Sequence, residues 1–91
     1  MNKAEKIHLI QTVLDEVNTM HAIDTYADKC DTLANAKALL RLYTFQTNAN
    51  AIDLNINNAK AILQAVIFPN PDKVAFFVCQ SLEMALSELL K

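Results

Sequence analysis

The sequence predicts an all-α protein, a compact antiparallel bundle of four helices at about residues 3–22, 24–46, 54–68 and 71–90. Two observations lead to that class. Apolar residues recur three and four positions apart through most of the chain, the spacing of one helix face. The one segment that alternates like a strand has no second strand to pair with, and an isolated strand is unstable.

The first helix, 3–22, carries Ile7, Ile10, Leu14 and Val17 as its stripe. Leu9, Val13 and Met20 widen that stripe to roughly 160° on a 100°-per-residue wheel, and His21 falls at its centre. Asp24 is the expected N-cap of the second helix, with Asp28 favourably charged in the first turn. Tyr26, Cys30, Leu33, Ala36, Leu40 and Tyr43 mark its buried face. Leu39, Leu40, Leu42, Tyr43 and Phe45 surround its end, so that end is expected to be covered on all sides. Residues 47–58 form the break, in which Ile52, Leu54 and Ile56 alternate with polar residues. A loop followed by a third helix from Asp53 or Leu54 to Phe68 is preferred, with Ile56, Ala59, Leu63 and Val66 as its stripe and Ile62 and Ile67 beside it. Pro69-Asn70-Pro71-Asp72 is the clearest boundary. Asn70 serves as N-cap, Pro71 as first helical residue and Asp72 as a dipole partner. The fourth helix then buries Val74, Val78, Leu82, Ala85 and Leu89, flanked by Ala75, Cys79 and Leu86. Short connections make consecutive helices antiparallel.

The chain has 91 residues, 53% of them hydrophobic, which makes one domain, 1–91, able to fold. Eight Lys and Arg against ten Asp and Glu leave a net charge of −2, so no nucleic-acid partner is expected. There is no glycine, which excludes a P-loop and a dinucleotide fingerprint. Nine asparagines are expected to take over turns in the left-handed region. Cys30 and Cys79 form no CxxC motif and are expected as two reduced core thiols in a cytoplasmic protein. No targeting segment and no membrane span are expected.

The residues offer no catalytic constellation. His8 and His21 fall roughly 140° apart on one helix and cannot share a metal within one chain. The segment His21, Asp24, Asp28, Cys30 and Asp31 resembles a metal cluster in residue type but matches no zinc or EF-hand spacing. Cys79 and His21 could meet across the bundle, but no residue pattern requires it. Asp15 and Glu16 point to different sides of their helix. No enzyme, cofactor or metal is therefore expected.

Charge distribution says more. Only Asp53 and Lys60 are charged in the thirty residues from Leu42 to Pro71, and interface centres are depleted of charge in the same way. On the fourth helix, Phe76, Phe77 and Met84 lie outside the core arc. Arg41 is the single arginine and the one candidate for a bidentate clamp. The expected function is a small non-catalytic protein-binding module of inhibitor, immunity or adaptor type, of a kind that phage and plasmid genes encode. It would act through an apolar helical surface of Phe76, Phe77, Met84, Arg41 and Phe45, with another protein, or a second copy as a homodimer, as partner. The alternatives are a purely structural homo-oligomer and an apolar small-molecule binder enclosing a pocket near Tyr26, Tyr43, Phe45 and Phe68.

Overall fold

Side-chain caps set where each helix begins. Asn2 accepts from the Glu5 amide while the Glu5 carboxylate takes the Asn2 amide, a capping box that starts α1, Lys3–Asn18. Thr25 accepts from the Asp28 amide at 3.3 Å and starts α2, Tyr26–Leu40. Asn50 accepts from the Asp53 amide at 2.8 Å and starts α3, Ala51–Ile62. Asn70 accepts from the Lys73 amide, and Pro71 opens α4, Pro71–Leu89. The computed structural model describes residues 2–43, 50–65 and 67–91, and among these the regular elements are these four helices and a 3₁₀ turn at Thr19–Ala22.

The chain runs up and down. Lys6, near the start of α1, lies 5.7 Å over the Tyr43 ring just beyond the end of α2. Lys29, near the start of α2, bonds Asp72 at the start of α4 at 2.9 Å. The Tyr26 hydroxyl donates to the Phe68 carbonyl at 2.7 Å and ties the same two ends together. α3 packs chiefly on α4, and α1 rests against both α2 and α4. Ile10, Val13 and Val17 of α1, Leu33 and Leu40 of α2, Ile56 of α3 with Leu63 just after it, and Val78 and Leu82 of α4 are fully buried. The expected all-α four-helix bundle is thus what forms, and most of the predicted stripe residues line its core.

Several local expectations are corrected. The N-cap of α2 is Thr25, one residue after Asp24, which is exposed. The described helix ends at Leu40, well short of residue 46. The Leu42 and Tyr43 amides bond back three residues, to Leu39 and Leu40, tightening the last turn. Tyr43 turns inward and is buried, whereas Leu42 is exposed, so the helix end is not covered on all sides. Residues 44–46 of the expected helix, and Val66 of the third stripe, lie outside the described residues.

The third helix starts and stops early. Asn50 caps it three residues ahead of the expected start, which turns the alternating Ile52-Asp53-Leu54-Asn55-Ile56 into helix with Leu54 exposed. It ends at Ile62, and Ile67 and Phe68 lie outside it. Phe68 precedes Pro69, a position that disfavours helical backbone, and its carbonyl is used by Tyr26. Ile67 is exposed rather than packed beside the stripe.

His21 is exposed, not central to a buried arc. The α-helical wheel fails there because Thr19–Ala22 is 3₁₀, which advances about 120° per residue instead of 100°. Met20 takes the inward position. Tyr26 is also largely exposed, with only its hydroxyl reaching inward. Among the described residues no non-glycine residue has positive φ. The described asparagines do not work in left-handed turns. Asn2, Asn50 and Asn70 work as N-caps instead.

Candidate functional site

Helix α4 buries one face and shows another. Val78, Leu82, Ala85 and Leu89 point into the core. Its outer face carries Phe76 at 63% exposure, Phe77 at 42% and Met84 at 54%. Large apolar side chains in water at this density are what contact surfaces present. The Phe76 and Phe77 rings meet edge to face, with centroids 5.5 Å apart and planes at 75°.

The three spread over two flanks of the helix, joined where the Phe76 and Phe77 rings touch. Phe76 stands on the flank facing α1, beside a groove of about 610 Å³ that Asn18, His21, Cys79, Gln80 and Glu83 also line. Phe77 and Met84 take no part in that groove. Seven residues apart, they fall within roughly 20° of one another, on the other flank of the helix.

Arg41 lies apart from the Phe76 surface. Arg41 is the C-cap of α2, exposed, at the end of the bundle where Lys6 meets Tyr43. Phe76 lies towards the opposite end, where α1 finishes and α4 begins. Arg41 makes no ion pair among the described residues. Phe45 lies outside the described residues. A second, shallower groove of about 470 Å³ lies nearer Arg41, between Glu5, His8, Leu9 and Thr12 of α1 and Leu39 and Leu42 at the end of α2. The expected aromatic pocket finds no counterpart in either groove. Tyr43 and Phe68 are buried, and neither groove is lined by them or by Tyr26.

Cys79 lies half-buried in the α1–α4 groove, and Cys30 is half-buried on α2; both are free thiols. The Cys79 thiol donates weakly to the Asn18 side-chain oxygen, 3.8 Å away. His21 lines the same groove without taking that contact. Burial, and secondarily the nearby Glu83 carboxylate, pushes the Cys79 thiol above its ordinary pKa. The reactive form is the thiolate, so the groove holds a sluggish nucleophile at neutral pH. Iodoacetamide is expected to label Cys79 more slowly than an unstructured thiol at pH 7. The difference should shrink as pH rises past the ordinary thiol range, followed by mass spectrometry of the Cys79 peptide. Fast labelling at pH 7 contradicts this account.

The charge-poor stretch has a structural explanation that its composition did not reveal. Its two charged residues both turn inward onto Tyr43. The Tyr43 hydroxyl donates to the Asp53 carboxylate, which is only 7% exposed. Lys60 Nζ donates to the Tyr43 carbonyl at 3.2 Å. The outward positions of α3 are left to Ala51, Leu54, Asn58 and Ala61, none of them charged. The sequence signal was available: Asp53 sits three residues before Ile56, on the buried stripe.

Among the described residues no three of His, Cys, Asp and Glu are grouped so that they could hold a metal ion, and no helix is long and apolar enough to cross a membrane. The protein is thus defined at the level of class, as a small all-α helical bundle. Comparison with protein-family models, with curated proteins and with solved structures finds no match to the chain.

Proposed function

We propose that this chain is a small non-catalytic protein-binding module of inhibitor, immunity or adaptor type, and that α4 is its contact helix. The observation that carries the reading is the outer face of α4, where Phe76, Phe77 and Met84 stay in water although the helix has a complete buried face of its own. Phe76 at the lip of the α1–α4 groove is the best anchor for another protein. Aromatic side chains, Phe included, and Met are enriched in protein contacts. Glu83 and His21 give the groove a polar rim. A cytoplasmic setting accords with two free thiols.

The test compares the intact chain with Phe76→Ser, each immobilised and exposed to a lysate of the organism that makes it. The intact chain is expected to retain a discrete protein, and the variant to lose it by tenfold or more, about 1.4 kcal/mol or above. Helical circular dichroism and melting temperature should be unchanged in the variant. Identical sets of retained proteins would sink the proposal.

A further inference from the structure

The flank of α4 away from the groove has an internal symmetry. Lys73, Phe77, Met84 and Glu88 fall within roughly 60° of one another on the helix. Read along the axis they run basic, aromatic, thioether and acidic, with Gln80 and Ser81 in the middle. Phe77 and Met84 are equally far from the midpoint between Gln80 and Ser81, and Lys73 and Glu88 are equally far from it too. Turned end for end, the stripe lays aromatic on thioether and base on acid. Lys73 is exposed and makes no ion pair among the described residues. Among the described residues Glu88 pairs with Lys91 alone, in a surface pair of the kind that contributes little and exchanges readily.

We propose that a second copy of this chain covers this stripe, the two α4 helices packing antiparallel about a two-fold axis between Gln80 and Ser81. The inference rests on the reading of α4 as a contact helix and supplies the occupant of its second flank. A two-fold axis perpendicular to the plane of two antiparallel helices brings the same flank of each together, so the pairs are read within the stripe. Phe77 of each copy meets the other copy's Met84, a sulfur–aromatic contact made twice. Each Lys73 faces the other copy's Glu88. Near the axis, the Gln80 amides carry both donors and acceptors and can satisfy one another. Charge decides the orientation: a parallel pair in register sets Lys73 against Lys73 and Glu88 against Glu88, and like charges across an interface are costly. Phe76 and the α1 side of its groove lie beside this contact and share only its Gln80 edge, which leaves them open to a different protein.

The experiment is sedimentation equilibrium of the full chain and four variants at increasing concentration. The intact chain is expected to approach twice 10.2 kDa. Lys73→Glu and Glu88→Lys should each weaken association by about tenfold or more, because each creates two like-charge contacts per dimer. The double variant Lys73→Glu/Glu88→Lys should restore it, since the exchanged charges again oppose. Phe77→Ser should abolish it while keeping its helical circular dichroism. A chain that stays monomeric up to about 1 mM, or a dimer indifferent to the single charge changes, or a double variant that fails to recover, overturns the pairing. A monomer that still captures a protein through Phe76 overturns the pairing and leaves the protein-binding reading standing.

Discussion

Replacing Leu82 by alanine is expected to lower the unfolding free energy by about 2–5 kcal/mol. Leu82 is fully buried on α4 and belongs to the core that all four helices build. Total stability for a domain of this size is about 5–15 kcal/mol, so one truncation removes a large share. Each kcal/mol moves the melting temperature by roughly 4–8 °C in a domain of this length, and thermal unfolding followed by circular dichroism reads the loss. The matched control is Phe77→Ser on the same helix, measured in dilute solution. Phe77 is 42% exposed, so its loss should cost about 1–2 kcal/mol, clearly less than that of Leu82. A loss of several kcal/mol from Phe77→Ser would make Phe77 part of the core and remove the contact surface with it.

Tyr43→Phe is expected to cost about 1–3 kcal/mol, although it deletes a single oxygen. That hydroxyl donates to the Asp53 carboxylate in a buried setting, and its loss leaves the carboxylate without that partner. The aromatic ring, which Lys6 overlies, and the carbonyl that Lys60 holds both survive the change, so the effect isolates one hydrogen bond. The companion variant Tyr43→Phe/Asp53→Leu removes both ends of the bond. It should fall short of the sum of the two single losses, because the unsatisfied acceptor is gone as well. Denaturant titration of the four proteins measures that coupling. Strict additivity would mean the two side chains act independently.

Helix boundaries were legible where one side chain decides them. Asn70-Pro71-Asp72 placed the start of α4 at the correct residue because a cap and a proline act locally. Asn50 is the same kind of signal, but Ile52, Leu54 and Ile56 alternate as a strand does directly after it and obscure the helical start. The end of α2 was not legible: Leu39 to Tyr43 read alike whether the helix continues or stops. Just past that end Tyr43 turns onto Asp53, ten residues away in sequence, a contact that local spacing does not specify. The periodic stripes of α1 and α4 predicted their buried residues well. His21 escaped them because wheel arithmetic assumes one pitch, and the chain tightens to 3₁₀ at Thr19.

For the site, the exposure of Phe76, Phe77 and Met84 followed from their angles on α4, but their division between two flanks did not. That division depends on where α1 lies, which spacing within a single helix cannot specify. The inward turn of Asp53 and Lys60 belongs to the same class of information, since it needs the position of Tyr43 relative to another helix.

The lack of glycine, together with the lack of positive φ among the described residues, bears on the unfolded chain as much as the folded one. Glycine widens the conformational ensemble that folding must narrow. An average chain of this length carries roughly six glycines, at about 7% usage. Each position that does without one, in a backbone that does not need its freedom, favours the native state by about 0.4–1 kcal/mol. The sum is a few kcal/mol, comparable to the margin on which a small domain survives. Part of this bundle's stability therefore corresponds to no contact between its helices, and comes from how little freedom the chain has when those contacts are absent.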